Sequence, residues 1–418
     1  MTNNNNVTKK GQYEAYYGLP STVSFCEKCV ISNQRPSSTV EFKSSANDKK
    51  KVIGFNEDNV CSACLYHDQK EVDINWAERD EKLREMLSKF KSKDGSYDVI
   101  VPGSGGKDSA YTSHILKYKY GMNPLTVTWA PHLYTDIGWK NFQEWMHTGG
   151  LDNILYTPNG KLHREMTKNA FHNLLHPFQP FIVGQRIIGP AMAKKFGVKL
   201  VMYGENQAEY GNAIEENTNP IMNMDFFSNE NPLNMKFGGV SMQEYIDTGK
   251  YSIDDFTPYI APDKQSLIDA GVEVHYLGYY LKWDPQECYY YAVDNTGFQA
   301  NTERTEGSYS KYSSIDDKID PFHYFTTLIK FGIGRATYDA AQEVRNGKIT
   351  REEAVYLVKK YDSEFPKKFY KEFLEYIETT DEDFWSTVDK FRSPHLWTQV
   401  DGEWKLRHTV MANGVDDK

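Results

Sequence analysis

The feature that most constrains this chain is a glycine-rich loop between an apolar strand and a helix, in residues 97–109 (YDVIVPGSGGKDS). The segment up to Val101 has the composition of a short buried strand. Gly103, Gly105 and Gly106 allow the backbone to turn tightly and leave its N–H groups uncovered. Where such a loop opens a helix, free donors and the positive end of the helix dipole point at one spot. The stretch therefore predicts an anion site whose natural ligand is a polyphosphate.

Side chains in the same stretch favour this prediction. Lys107 adds a mobile cation, and Ser104 and Ser109 add hydroxyl donors. The stretch is not the common P-loop, because Val101 and Asp108 stand where that pattern needs a glycine and a Ser or Thr. A glycine-rich turn that only joins a strand to a helix is the alternative.

The run Ser104-Gly105-Gly106-Lys107-Asp108-Ser109 resembles the SGGxDS signature of the PP-loop ATP pyrophosphatases, which include asparagine synthetase, GMP synthetase and the tRNA thiolases. The resemblance implies an adenine nucleotide α-hydrolase-like fold. It also implies that ATP is cleaved between its α and β phosphates, that AMP passes to an oxygen of the substrate, and that pyrophosphate rests in the loop.

Four of the five cysteines form two CxxC pairs, Cys26 with Cys29 and Cys61 with Cys64. Each turn can offer two thiolates to one ion, so the pairs predict a four-cysteine Zn²⁺ site. Four thiolates leave no open coordination position, which indicates a structural zinc. A redox dithiol and free buried thiols are the alternatives.

Segments that alternate between strand and helix patterns follow the zinc module. Predicted strands cover residues 97–101, 124–129, 153–156 and 198–203, and predicted helices cover 110–119, 141–148, 164–175 and 184–196. This spacing predicts an α/β fold with a doubly wound parallel sheet. The predicted organisation is a disordered tail at 1–20, the zinc-binding module at 21–70, the ATP-binding α/β domain at 71–235, and a substrate-side insertion with a helical C-terminal region at 236–418.

Ligands of such sheets bind beyond the carboxyl ends of the strands. Trp129 ends the second strand, where adenine and ribose rest in the resembling enzymes. His132 follows as a ligand contact or a plain loop histidine. Gly204 and Glu205 open the next loop, GENQAEYG, and Glu205 and Glu209 would share one face if a helix starts there. Paired carboxylates beside a triphosphate predict Mg²⁺ coordination or proton transfer, with a solvated acidic surface as the alternative.

The remainder of the chain is less regular. Residues 276–280 are a further strand candidate, residues 350–392 read as helices, and the end predicts a strand pair around Asp401-Gly402. Lys330 and Arg335 could place two cations near phosphate. A packed helix pair with surface charges is the alternative.

The order of motifs from residue 24 to 395 resembles the N-acetyl sugar amidotransferases of cell-surface polysaccharide and flagellin-glycan biosynthesis. It is carried by the two CxxC pairs, SGGKDS, GENQAEYG, SSIDDKIDPFHYF and KFGIGRATYDAAQEVRNGKITREEA. The resemblance implies a cytoplasmic enzyme that uses ATP and Mg²⁺ to adenylate the acetamido oxygen of an N-acetylated sugar. Ammonia then replaces that oxygen, giving an acetamidino sugar. It also implies a glutaminase subunit and a synthase-like subunit as partners that supply ammonia.

These considerations assign the candidate site residues. The candidate catalytic residues are Lys107, Asp108, Glu205 and Lys330. The candidate ATP contacts are Ser104, Gly105, Gly106, Lys107, Ser109, Trp129 and Gly204.

Composition excludes several classes of function. The formal net charge is −10, and the longest basic run is Lys49-Lys50-Lys51, which argues against a general nucleic-acid binder. No apolar run is long enough for a transmembrane helix, and the polar start MTNNNNVTKK is unlike a signal peptide. A tRNA-modifying PP-loop enzyme, a thiolase or lysidine-type ligase, is the alternative function. It would need a basic face, and a thiolase would need a relay cysteine where only Cys288 is unpaired.

Overall fold

A computed structural model describes residues 13–213 and 218–411 of the chain. The first twelve residues of the predicted disordered tail lie outside this description. The rest of that tail is packed, which corrects the prediction: Leu19 is buried, and the Tyr17 hydroxyl donates to the Phe391 carbonyl at 2.7 Å. The Tyr17 ring and the Leu19 side chain thus join the main hydrophobic core, where Tyr17 packs against Phe331.

The described residues contain one five-stranded sheet and two short hairpins. The strands are β1 (Val99–Pro102), β2 (Pro124–Trp129), β3 (Asp152–Tyr156), β4 (Leu200–Tyr203), β5 (Lys236–Phe237), β6 (Val240–Ser241), β7 (Glu273–Tyr276), β8 (Trp397–Val400) and β9 (Glu403–Leu406). The sheet has the order β3-β2-β1-β4-β7, and every pairing is parallel. The predicted α/β fold is therefore confirmed. The fifth strand of the sheet, β7, pairs with β4 across a long insertion. This strand therefore lies beyond the predicted domain end at 235.

Both faces of the central strand are buried under helices. The helices are α1 (Ser62–Val72), α2 (Trp76–Phe90), α3 (Lys107–Tyr118), α4 (Asp136–His147), α5 (Gly160–Leu174), α6 (Gln179–Phe196), α7 (Met242–Asp247), α8 (Lys264–Asp269), α9 (Leu277–Tyr280), α10 (Pro285–Thr296), α11 (Asp320–Phe331), α12 (Arg335–Arg345), α13 (Arg351–Tyr361), α14 (Tyr370–Tyr376) and α15 (Asp381–Lys390). Val99 and Val101 pack in one cluster with Leu116 of α3, whereas Ile100 packs in another with Ile187 of α6. This alternation is the two-residue period of a doubly covered strand.

Among the helices that begin earlier than predicted, α4 and α6 differ most, by five residues each. The Thr135 side chain accepts a hydrogen bond from the Gly138 N–H, so α4 begins at Asp136 rather than 141. Pro180 lies in the first turn of α6, where its missing N–H costs nothing, so this helix begins at Gln179 rather than 184. The strand predicted at 276–280 is wrong: β7 ends at Tyr276, and the chain turns into α9.

The predicted C-terminal strand pair is confirmed. β8 and β9 pair antiparallel around Asp401 and Gly402, whose φ angles of 53° and 83° suit a two-residue hairpin turn. Among the described residues, no helix is both long and apolar enough to span a bilayer.

Candidate functional site

The glycine loop joins β1 to α3 at the carboxyl edge of the sheet. Gly105 has a φ of +83°, and a Cβ there would lie 2.9 Å from the Phe142 Cα. A Cβ at Gly103 would lie 2.1 Å from the Ser109 Cβ. Side chains are therefore excluded at both positions, by the Ser109 side chain at Gly103 and by the backbone of α4 at Gly105. Gly106 is the N-cap of α3 and supplies no side-chain acceptor, so the first-turn N–H groups have no cap from it.

Two cavities border this loop. The larger has a volume of about 400 Å³ and the smaller about 250 Å³. Five residues line both: Ser104, Gly106, Asp108, Gln185 and Glu205. The smaller cavity lies between β1 and β4, where the strand order reverses direction. Open parallel sheets bind ligands at this switch point.

Predicted ATP contacts are distributed over these cavities. Gly105 and Lys107 line the larger cavity, and Ser109 and Gly204 line the smaller one. Trp129 lines neither: it is buried in the core, and a Cβ at Gly184 would meet its indole at 2.2 Å. The assignment of Trp129 to a ligand is therefore corrected, since its ring fills the space between the sheet and α6.

Opposite charges face one another at the loop. The Lys107 ammonium lies 2.5 Å from Asp108 Oδ2, and Asp108 Oδ1 is buried with no hydrogen-bond partner. Burial opposes the charge on Lys107, but Asp108 and Glu205 outweigh it and raise the pKa of the ammonium. Burial and the Asp108 charge raise the pKa of Glu205, although the Tyr210 hydroxyl donates to its carboxylate. A divalent cation would relieve this crowding, and carboxylate oxygens are ligands that Mg²⁺ accepts.

The C-terminal region supplies the opposite wall of the larger cavity. Asp316 lies in the connection before α11, Asp320 begins α11, and Arg335 begins α12. The Ser104 hydroxyl hydrogen-bonds to the Asp316 carboxylate, and burial raises the pKa of that carboxyl. Burial also raises the pKa of Asp320 to about 7, against the opposing charge of Arg335. Sequence reasoning did not assign the two aspartates, although the DDKID run marks them.

The structure does not bring Lys330 to either cavity. Its ammonium donates a 2.7 Å hydrogen bond to the Leu174 carbonyl and lies 5.3 Å from the centre of the Tyr17 ring. Lys330 lies in the last turn of α11 on the core side, whereas Arg335 starts α12 on the cavity side. The turn at residues 332–334 separates the two cations, so the prediction that both lie near phosphate is corrected for Lys330.

The two glutamates of GENQAEYG also separate. A short 3₁₀ turn at Gln207–Tyr210 replaces the predicted helix start, so Glu205 faces the cavities while Glu209 turns inward. Both Glu209 oxygens accept hydrogen bonds from Lys70 at 3.0 Å. His132 is likewise internal, because its ring and N–H both donate to the Asp317 carboxylate.

The four paired cysteines form one buried cluster. Their sulfur atoms all lie within 4.8 Å of one another, with two separations of 3.8 Å between the pairs. Zn–S bonds of about 2.3 Å in a tetrahedron imply S···S distances of about 3.8 Å. A cluster of two or four irons would spread the sulfurs further, because the four thiolates would be divided among different irons. The donor set therefore fits a single tetrahedral ion.

The four-cysteine cluster contacts both the C-terminal region and the helix that leads to the 205–211 loop. Arg351 of α13 donates to the carbonyls of Cys29 and Cys26 at 3.1 and 3.3 Å. Cys61 is the N-cap of α1, and Lys70 on that helix holds Glu209. The cluster is thus connected to the 205–211 loop through one helix.

A family comparison matches the C-terminal wall. Residues 306–411 match the family model described as the C-terminal domain of WbpG-like LPS biosynthesis proteins. This segment includes Asp316, Asp320 and Arg335. An uncharacterized protein from Methanocaldococcus jannaschii is 33% identical over 78 residues, or 19% of this chain and 27% of that protein. The chain therefore spans about a quarter of the length of this curated relative.

Solved structures show only low overall similarity. An NH3-dependent NAD synthetase from Campylobacter jejuni has a TM-score of 0.25 at 15% identity, covering 31% of this chain and 56% of that one. An NMN synthetase from Francisella tularensis has a TM-score of 0.28 at 14% identity, covering 68% and 96%. The U34-tRNA thiolase NcsA from Methanococcus maripaludis, with its 4Fe-4S cluster, has a TM-score of 0.31 at 13% identity, covering 80% and 88%.

Proposed function

We propose that this chain is an ATP-dependent amidotransferase that converts the acetamido group of an N-acetylated sugar into an acetamidino group for surface glycan biosynthesis. One observation carries the proposal. The larger cavity has the SGGKDS loop on one side and, on the other, the segment that matches the LPS biosynthesis family model. A phosphate-binding loop and a sugar-pathway segment thus face the same space.

The chemistry follows from the weakness of an amide as an electrophile. The acetamido oxygen attacks the α-phosphorus of ATP, and pyrophosphate leaves. Ammonia then adds to the activated carbon, and AMP departs with the former amide oxygen. The products are the acetamidino sugar, AMP and pyrophosphate. Cations and N–H donors that are already in place stabilise the charge on the leaving group.

Individual residues take roles from their positions. The loop amides, Ser104, Ser109 and Lys107 hold the departing pyrophosphate. Asp108 and Glu205 would hold Mg²⁺, which neutralises phosphate charge when bound. Asp320, whose pKa near neutrality suits proton transfer, accepts a proton from the attacking ammonia across the larger cavity.

The metal of the four-cysteine cluster is zinc in this proposal, and its role is structural. All four thiolates are used, so no position remains for substrate. Reduced thiols and ATP are both characteristic of the cytoplasm, where we place the enzyme.

A glutaminase partner supplies the ammonia. Cys288 is the one cysteine outside the cluster; it is buried, and burial raises the pKa of its thiol well above its usual value. It is therefore unsuited to attack glutamine. In an assay with this protein alone, ammonium should support turnover and glutamine should not. Equal turnover with glutamine would argue against a partner.

Mass spectrometry of the sugar tests the reaction. Purified protein is incubated with ATP, Mg²⁺, ammonium and a panel of N-acetylated sugars, free and nucleotide-linked. Replacement of oxygen by NH lowers the product mass by about one dalton, by the acyl-activation logic above. Lys107→Ala should abolish this product, and Lys117→Ala, in the last turn of the same helix, should retain it. Release of ADP instead of AMP, or product formation by Lys107→Ala at the wild-type rate, would contradict the proposal.

A further inference from the structure

The smaller cavity is lined by a cation that has no role in the reaction proposed above. Arg186 on α6 lines it together with Gly103, Ser104 and Ser109 of the loop. Its guanidinium lies 5.9 Å from the centre of the Tyr203 ring and 3.9 Å from the Met222 sulfur.

Arg186 is the only Lys or Arg among the described residues that lines the smaller cavity, and its partners differ from those of three cations that line the larger one. Lys107 lies 2.5 Å from Asp108, Arg335 lies 3.1 Å from Asp339, and Lys348 lies 3.2 Å from Asp284. Arg186, by contrast, forms no ion pair with any carboxylate of the described ranges 13–213 and 218–411. Its polar contacts there are to the Met222 sulfur and the Tyr276 side chain.

We infer that Arg186 binds the pyrophosphate that leaves ATP. A guanidinium presents a rigid fork of donors that matches two phosphate oxygens. In the same cavity, the charges of Asp108 and Glu205 would only balance that of a bound Mg²⁺, so Arg186 on α6 adds a positive charge toward the polyanion. The loop and Arg186 then contact pyrophosphate from two sides. The inference deepens the proposed function and relies on it for the reaction.

Direct binding tests the inference without a sugar. Isothermal titration calorimetry measures the affinity of the full chain for pyrophosphate in the presence of Mg²⁺ and, separately, for AMP. The affinities of the wild type are compared with those of Arg186→Gln. The matched control is Arg164→Gln, whose guanidinium lies over Tyr376 rather than at either loop cavity. Arg186→Gln should weaken pyrophosphate binding at least tenfold and AMP binding less than twofold. Arg186→Lys should fall between, because it keeps the charge and loses the fork. In turnover, Arg186→Lys should raise the KM for ATP and leave the KM for the sugar unchanged.

Several results would overturn the inference. Pyrophosphate affinity of Arg186→Gln within twofold of wild type is one, and an equal loss of pyrophosphate and AMP binding is another. If Arg186→Gln does not fold, wild-type pyrophosphate binding by a folded Arg186→Lys variant has the same consequence. Absence of an acetamidino product, with a selective pyrophosphate defect in Arg186→Gln, would instead refute the proposed function and leave this inference standing.

Discussion

Replacing Lys70 by methionine should destabilise the protein more than any change of a surface charge within residues 21–70. The Lys70 side chain is fully buried, the Glu209 side chain is 6% exposed, and Lys70 also donates to the Trp283 carbonyl at 2.9 Å. A methionine side chain is similar in length to that of lysine but carries no charge. Lys70→Met therefore leaves a carboxylate and a carbonyl in the interior without their donor.

The expected magnitude follows from the burial of the pair. Removing one partner of a buried ion pair costs about 3–5 kcal/mol, because the other charge stays desolvated. Lys28→Met is the matched control, since Lys28 pairs with Asp68 on the same helix at side-chain exposures of 50% and 48%. An exposed pair of this kind contributes about 0–1 kcal/mol.

Urea unfolding at several pH values measures both variants. Burial raises the pKa of Glu209, and Lys70 opposes that shift, so removing Lys70 should raise the pKa of Glu209 further. The deficit of Lys70→Met should then shrink as the pH falls, since a protonated Glu209 is no longer a buried charge. Adding Glu209→Leu should restore about 2 kcal/mol, because the unpaired charge is removed as well. A loss below 1 kcal/mol, or a double variant no more stable than Lys70→Met, would refute this reasoning.

Three further predictions concern the loop, the cavity and the metal. Gly105→Ala should lower the folding stability by about 1–2 kcal/mol for the left-handed backbone alone, and the 2.9 Å contact with Phe142 should lower it further. The same variant should abolish ATP binding in titration. Gly160→Ala is the control, because a Cβ there has no atom within 4 Å, and it should change neither stability nor ATP binding. Burial raises the pKa of Asp320 from its ordinary value of 3.8 to about 7, so the folded protein holds a proton there that the unfolded chain has lost. The stability of the wild type should therefore fall as the pH rises between these two values. In thermal melts, Asp320→Asn should remove this part of the pH dependence of the melting temperature. Elemental analysis should find one zinc per chain, and its removal by a chelator, or Cys26→Ser, should lower the melting temperature.

Each of these has a contrary outcome. Gly105→Ala with wild-type ATP affinity would exclude the close backbone approach as a requirement for binding. Identical pH profiles of wild type and Asp320→Asn would show that this carboxyl titrates normally. Several irons per chain would contradict a single tetrahedral ion at the four cysteines.

The strand, the glycine loop and the following helix were predictable because their determinants are neighbours in the chain. Apolar residues in β1, the glycines and the start of α3 act within thirteen consecutive residues, 97–109. The two CxxC pairs are local in the same sense, since each turn presents its own two thiolates. The order of strands and helices followed from periodicity. The starts of α4 and α6 were missed because the Thr135 cap of α4 and Pro180 in the first turn of α6 add residues that carry no periodic signal.

Only the tertiary structure decided which side chains meet at the site. Glu209 joins Lys70 across 139 residues, Trp129 and Lys330 turn into the core, and Asp316 and Asp320 reach the loop from the C-terminal region. A sequence pattern reports the local backbone and which face of an element is buried. Contact between distant elements depends instead on how their surfaces fit and on which buried charges pair. Neither property is determined by the sequence of a single segment.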